Sequence, residues 1–278
     1  MKTNIIAIAN QKGGVGKTTT TINLATALAA CKKKVLIVDL DSQGNASTGL
    51  GVEDRSGIVS SYDLLLHTED FKNAAVSTEI PNLDIIPATM DLAGVEISLA
   101  GQVGRERKLK TSLSAYAGNY DYVLLDCPPN LGLVTLNALV ASTGVLVPLQ
   151  SEFYALEGLS QILTTTNRIK KYMNPELELA GVVLTMFDKR NNLAVQVAED
   201  VRTHLGDKVF ETVIPRNVRI AEAPSFGAPV IIHDHTSIGA IAYMMLAKEI
   251  LNKFEKVNVK ETIIPIAQDD GVFSGVAK

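Results

Sequence analysis

Short, almost wholly apolar runs recur along the chain, each followed by residues at helical spacing. The runs are Ile5–Ala9 (IIAIA), Val35–Asp39 (VLIVD), Leu83–Pro87, Tyr122–Asp126 (YVLLD), Val145–Pro148, Ala180–Thr185 and Val209–Ile214. Few of them alternate polar and apolar positions, so they read as strands covered by helices on both faces. Thr18–Ala30 is expected as the first helix, with Ile22, Ala25 and Leu28 on one face. Ser237–Phe254 is expected as a closing helix that packs on the core through Ile238, Ile241, Met245 and Ile250. Strands alternating with helices predict an α/β fold: a doubly wound, mostly parallel sheet flanked by helices. Such sheets bind ligands beyond the carboxyl ends of their strands, which directs attention to the residues after Ala9, Asp39 and Asp126.

Residues Cys127–Ser151 carry no charge over 25 positions, long enough to span a bilayer. Pro128, Pro129, Asn130, Asn137, Gly144 and Pro148 interrupt them, so they read as a loop, a buried helix and a buried strand. The N-terminus lacks a secretory pattern. Residues 1–255 are expected to form the folded domain. The helical pattern decays after Glu255, and the tail 256–278, with Pro265, Gly271 and Gly275, is expected to be poorly ordered. The two cysteines, Cys31 and Cys127, form no CxxC pair and read as free thiols in a cytoplasmic protein. A net charge of −4 speaks against an overall basic nucleic-acid binder but leaves room for a local basic patch.

The chemistry lies first in Gln11-Lys12-Gly13-Gly14-Val15-Gly16-Lys17-Thr18-Thr19, between the first strand and the first helix. Glycines let successive amides curl inward, and together with the helix N-terminus they cradle phosphate oxygens. Lys17 brings a cation to the β- and γ-phosphates, and the Thr18 hydroxyl is placed to ligate Mg²⁺. The pattern GxxxxGK[ST] is broken, because Gln11 stands where its first glycine would be. A second lysine, Lys12, instead lies five residues before Lys17. It cannot easily share the site with Lys17 but could act on a neighbour's nucleotide, as an arginine finger does.

Two aspartates follow apolar runs at the predicted ligand edge. Asp126 reads as the carboxylate of the Mg²⁺ shell, and Asp41, in Asp39-Leu40-Asp41, as the residue that positions attacking water. A helix cap or loop hydrogen bond is the plainer reading of each. Asp39 is left without an assigned role. Gly44, Gly49 and Gly51 would let the segment after Asp41 move.

KGGVGKTT resembles the deviant Walker A loop of the ParA/MinD family of P-loop ATPases. Three further segments extend the resemblance over about residues 4–254: DCPPNLG (Asp126–Gly132), EFYALEGLSQ (Glu152–Gln161) and IPRNVRIAEAPSFGAPV (Ile214–Val230). The last two look like the chromosomal Soj-type branch. The resemblance implies an ATPase using ATP and Mg²⁺, with Lys12 as the signature lysine that crosses an ATP-sandwiched homodimer. It puts catalytic work on Asp41 and an adenine pocket at Pro215 and Asn217. It implies nonspecific DNA binding through Arg190 and Arg219, hydrolysis stimulated by a ParB-type partner, and a nucleoid-associated protein. Relatives mostly carry proline where this chain has Ser42. No helix-turn-helix segment precedes Ile5, which speaks against an autorepressing plasmid type. Of the competing readings, a MinD-like membrane-cycling ATPase needs a basic amphipathic C-terminal helix, which Pro265, Asp269 and Asp270 do not suit. Cys31 and Cys127 are badly placed for a shared iron–sulfur cluster. A P-loop metabolic synthetase and an ATP-gated scaffold that does not hydrolyse complete the set.

Overall fold

The computed structural model describes residues 2–55, 57–66, 74–114 and 117–255. The tail 256–278, expected to be poorly ordered, lies outside them. Eight strands form one sheet: β1 (Asn4–Ile8), β2 (Val35–Asp39), β3 (Val76–Ser77), β4 (Leu83–Ile86), β5 (Tyr122–Asp126), β6 (Gly144–Gln150), β7 (Glu178–Phe187) and β8 (Val209–Pro215). Their order is β3-β4-β2-β5-β1-β6-β7-β8, and every pairing is parallel except β3 with β4. The helices are α1 (Lys17–Ala30), α2 (Asn45–Thr48), α3 (Ser61–Leu66), α4 (Val95–Ser98), α5 (Lys108–Leu113), α6 (Leu133–Ala141), α7 (Ala155–Tyr172), α8 (Asn192–Leu205), α9 (Val218–Glu222), α10 (Val230–His233) and α11 (Ile238–Glu255).

The strands are apolar on both sides because each side meets helices. Ile6, Ile8, Ile37, Leu124 and Leu146 share a core with Leu24 and Leu28 of α1 and with Tyr243, Leu246 and Ile250 of α11. Ala7, Leu36, Val38, Leu125 and Val147 face Leu64 of α3, Leu109 of α5, Ala138 of α6, Ile162 of α7 and Val201 of α8. Each fully buried Leu or Ile contributes about 1.5–3 kcal/mol, so the two layers together fix the sheet. At the opposite end from the ligand edge, the Tyr122 hydroxyl donates to Glu255 Oε1 (3.0 Å) and Lys33 Nζ to Glu255 Oε2 (2.7 Å), tying the end of α11 to β5.

The expected doubly wound sheet is present, and the predicted strands fall within a few residues of the observed ones. The closing helix buries a different face from the one predicted. Gly239, Ala240, Tyr243, Leu246 and Ala247 are buried with Ile250, while Ile238, Ile241 and Met245 are exposed. Gly239, Ala240 and Ala247 let α11 approach α1 closely, and Tyr243, Leu246 and Ile250 fill the core beside them. Strand β3 escaped the sequence reading because two residues carry no periodicity. No helix among the described residues is long and apolar enough to cross a membrane.

Candidate active site

Parallel register carries three strand ends to one place. Ile8 and Asp39 both pair with Asp126, so β1, β2 and β5 deliver the phosphate-loop candidate and two carboxylates side by side. After β1 the chain turns through Asn10, whose Nδ2 donates to Pro148 O (2.8 Å) and whose Oδ1 accepts from Lys12 N (3.0 Å). Gly14 and Gly16 have φ of 73° and 87°, a backbone conformation that other residues adopt only under strain. Gly16 is the N-cap of α1, and no side chain caps that end. The first amides of α1 therefore keep their donors for a ligand. Val15 is buried, and its carbonyl accepts from Thr185 Oγ1 on β7 (2.8 Å), which anchors the loop from below.

Lys17 lies back along the loop, nearly buried, with Nζ donating to Lys12 O (3.1 Å). Burial lowers its pKa, and the nearby Asp126, Cys127 and Asp41 oppose that shift. Lys12 points outward instead and forms an ion pair with Glu152, just beyond β6. Asp126 is wholly buried. Its Oδ1 accepts from Thr21 Oγ1 (3.0 Å), whereas Oδ2 has no hydrogen-bond partner. An orphaned buried carboxylate oxygen is costly unless something else completes it. Beside Thr18, it fits the shell of a magnesium ion. No cluster of three or more His, Cys, Asp or Glu that could hold a metal occurs among the described residues.

Burial pushes the Asp126 pKa up to about 8, and the neighbouring Asp39 carboxylate adds to the rise, against the Thr18 and Thr21 hydroxyls. Asp39, also fully buried, is raised by the same desolvation. A carboxyl whose folded pKa lies above its unfolded value carries a proton that the unfolded chain has already lost. The ligand-free fold should therefore lose stability as pH rises from about 4 to about 8. Calorimetric melting at pH 5, 6.5 and 8 should show that decline, and Asp126→Asn should flatten it; equal slopes in the two proteins would contradict the assignment.

Asp41 lies on the loop after β2, where Oδ1 accepts from Gln43 N (3.0 Å) and its carbonyl from Gly44 N (2.8 Å). Asp39 is the hub of that loop. Its Oδ1 accepts from Asp41 N (3.2 Å), and its Oδ2 from Ser47 N (2.9 Å) and Ser47 Oγ (2.7 Å). Sequence reasoning left Asp39 unassigned and passed over Thr21, Thr185 and Glu152, whose partners are distant in the chain.

Lys12, Gly13, Gly14, Val15, Gly16, Lys17, Thr18, Thr19, Asp41 and Asp126 thus belong to one region. Pro215 ends β8, paired in register with Phe187. Asn217 is the N-cap of α9, its Oδ1 accepting from Ile220 N (3.2 Å). The cap engages the oxygen, so a base would find Asn217 mainly as an Nδ2 donor rather than as a paired donor and acceptor. Arg190 lies in the turn after β7, gripped by Asp188 through Nε (2.9 Å) and Nη2 (2.7 Å). Arg219 lies on α9 with Glu222 (2.5 Å) and Asp234 (3.3 Å). Cys31 follows α1 and Cys127 follows β5; both are free, and they occupy opposite ends of the sheet.

A family profile described as "AAA domain" matches residues 3–179. The chain is 54% identical over 251 residues to the chromosome partitioning protein ParA of Caulobacter vibrioides, covering 90% of this chain and 94% of that protein. It is 53% identical over 246 residues to the sporulation initiation inhibitor protein Soj of Bacillus subtilis, covering 88% and 97%. The chain belongs to the ParA/Soj family of partition ATPases. Its fold also matches a solved structure of cobyrinic acid a,c-diamide synthase from Mycobacterium smegmatis with bound ATP analog and magnesium. That match has a TM-score of 0.79 and 37% identity, and covers 91% of this chain and 96% of the other. Membership of the ParA/Soj family makes the chain an ATPase.

Proposed function

We propose that the chain is a DNA-partitioning ATPase that takes ATP with Mg²⁺, closes into a homodimer, binds DNA nonspecifically and is released when a ParB-type partner stimulates slow hydrolysis. The observation that carries this reading is the meeting of the open amides of α1, buried Lys17 and the half-satisfied Asp126 at one sheet edge. The amides and Lys17 bind the β- and γ-phosphates, while Thr18 and Asp126 hold the ion, whose chemistry is to neutralise charge on the phosphates. Asp41 orients water toward the γ-phosphate, and its loop takes one arrangement with ATP and another without. Lys12 leaves Glu152 for the neighbour's phosphates. Pro215 and Asn217 lie against the base. Residues 1–255 carry this cycle, at the nucleoid and away from any membrane.

Arg190 and Arg219 bind DNA phosphates by exchanging Asp188, and Glu222 with Asp234, for phosphate oxygens. Such solvent-exposed pairs are weak and screened by salt, so DNA phosphates can displace them. Binding to random-sequence DNA should appear with ATP and be lost with ADP or without nucleotide, while anionic liposomes bind in none of these states. Liposome binding with ATP would favour the membrane-cycling reading instead. Arg190→Ala with Arg219→Ala should abolish the DNA shift and leave the ATP dimer intact. Each arginine replaced singly should lower the slope of log affinity against log salt by about 1. A full DNA shift in the double variant would remove these residues from the interface.

A further inference from the structure

Arg55 follows α2 and belongs to none of the motifs above, yet its guanidinium is embedded in the loop that presents Asp41. Its Nη2 donates to Gly44 O (2.9 Å) and to Thr48 Oγ1 (2.7 Å), its Nη1 to Ala88 O (3.2 Å) and its Nε to Val52 O (3.1 Å). The backbone makes room for it. Gly44 has φ of 62°, and a Cβ there would fall 2.0 Å from Nη1, so any other residue at 44 would be strained and would force the guanidinium to shift.

These bonds close a circuit. Asp39 Oδ2 accepts from Ser47 Oγ, and Ser47 Oγ accepts from Ala88 N (3.2 Å). Ala88 O accepts from Arg55, Arg55 donates to Gly44 O, and Gly44 N donates to Asp41 O. Asp41 N then donates back to Asp39 Oδ1 (3.2 Å). The route joins the end of β2, α2 and the segment after β4, and Asp41 is one of its links. Five of the six residues in it engage through backbone groups or through side chains fixed within the loop. Arg55 is the exception: a long side chain whose planar fork meets two carbonyls, one from each terminal nitrogen.

We infer that Arg55 is a positioning residue for ATP hydrolysis, acting through the loop that sets the orientation of Asp41. The inference rests on the proposed role of Asp41 and deepens it. Arg55 touches no reacting atom; its effect is on the geometry of the loop, to which rates are steeply sensitive.

The test compares steady-state ATP hydrolysis by wild type, Arg55→Met, Arg55→Lys and Asp41→Ala, with melting temperatures measured alongside. Arg55→Met should lower kcat about tenfold while KM for ATP stays near wild type, because the guanidinium bonds to the loop after β2 and to Ala88 rather than to the phosphate loop; the melting temperature checks that the variant is folded. Arg55→Lys should restore little, since its compact ammonium lacks the planar fork that meets Ala88 O and Gly44 O from two separate nitrogens while Nε holds Val52 O. An unchanged kcat in Arg55→Met, or a KM that rises while kcat holds, would overturn the inference. So would full recovery by lysine. If Arg55→Met does not fold, Thr48→Val removes a single acceptor of the same guanidinium and should lower kcat in the same direction; an unchanged kcat there also overturns it. Asp41→Ala separates the two layers. Full activity in Asp41→Ala would end both the reading of Asp41 and this inference, whereas a dead Asp41→Ala beside a fully active Arg55→Met would end the inference alone.

Discussion

Lys17→Ala is expected to abolish productive ATP binding and to lower hydrolysis by at least about 10²-fold, the scale seen when one preorganised charge-stabilising donor is removed. The expectation follows from where Lys17 lies. Its ammonium is nearly buried against Lys12 O and is drawn toward Asp126 and Asp41. Little else nearby can deliver positive charge to the β- and γ-phosphates, because Lys12 is turned out to Glu152. Burial makes the lysine easier to dehydrate on ligand uptake, since most of that cost is already met in folding. Titration calorimetry with Mg·ATP is the direct measurement, read beside turnover. Unchanged affinity and unchanged hydrolysis would remove the loop from the site.

Asp41→Ala is expected to separate binding from chemistry. A positioned carboxylate acting on water contributes about 10²–10⁴-fold, so turnover should fall by that scale while ATP uptake persists. The local cost of the change is small: Oδ1 caps one amide, Gln43 N, and such a bond is worth about 0.5–1.5 kcal/mol. The fold should therefore survive, and ATP should trap a dimer visible by gel filtration. A monomer that still hydrolyses ATP at the wild-type rate would contradict the role given to this residue.

Much of this site was legible in the sequence because its parts are local. Residues 11–19 carry loop, lysine and hydroxyl in one stretch, and the apolar runs that end at Asp39 and Asp126 place carboxylates at the ligand edge without any knowledge of packing. What could not be read depends on residues far apart in the chain. Thr185 supports Val15 from 170 positions away, and Glu152 meets Lys12 across 140. Arg55 has no periodicity or motif to mark it, and its meaning appears only when Ala88 and Gly44 lie on either side of its fork. Asp39 was visible as an aspartate, but its bonds to Ser47 and Asp41 were not. The exposed face of α11 shows the converse limit. Ile238, Ile241 and Met245 have helical spacing, yet packing selected the face that carries Ala240, Tyr243, Leu246 and Ala247.

The pairing of Lys12 with Glu152 bears on how the proposed cycle responds to nucleotide supply. In the proposed two-fold dimer each lysine would cross to the other copy, so the exchange would happen at both nucleotide sites of the one interface or leave it lopsided. A copy loaded with ADP presents no γ-phosphate to draw its neighbour's lysine away from Glu152. Pairs with one spent and one fresh nucleotide would then close poorly, and the yield of closed pairs would follow the square of the ATP-loaded fraction. Such a chain would respond to the ATP-loaded fraction more steeply than in simple proportion.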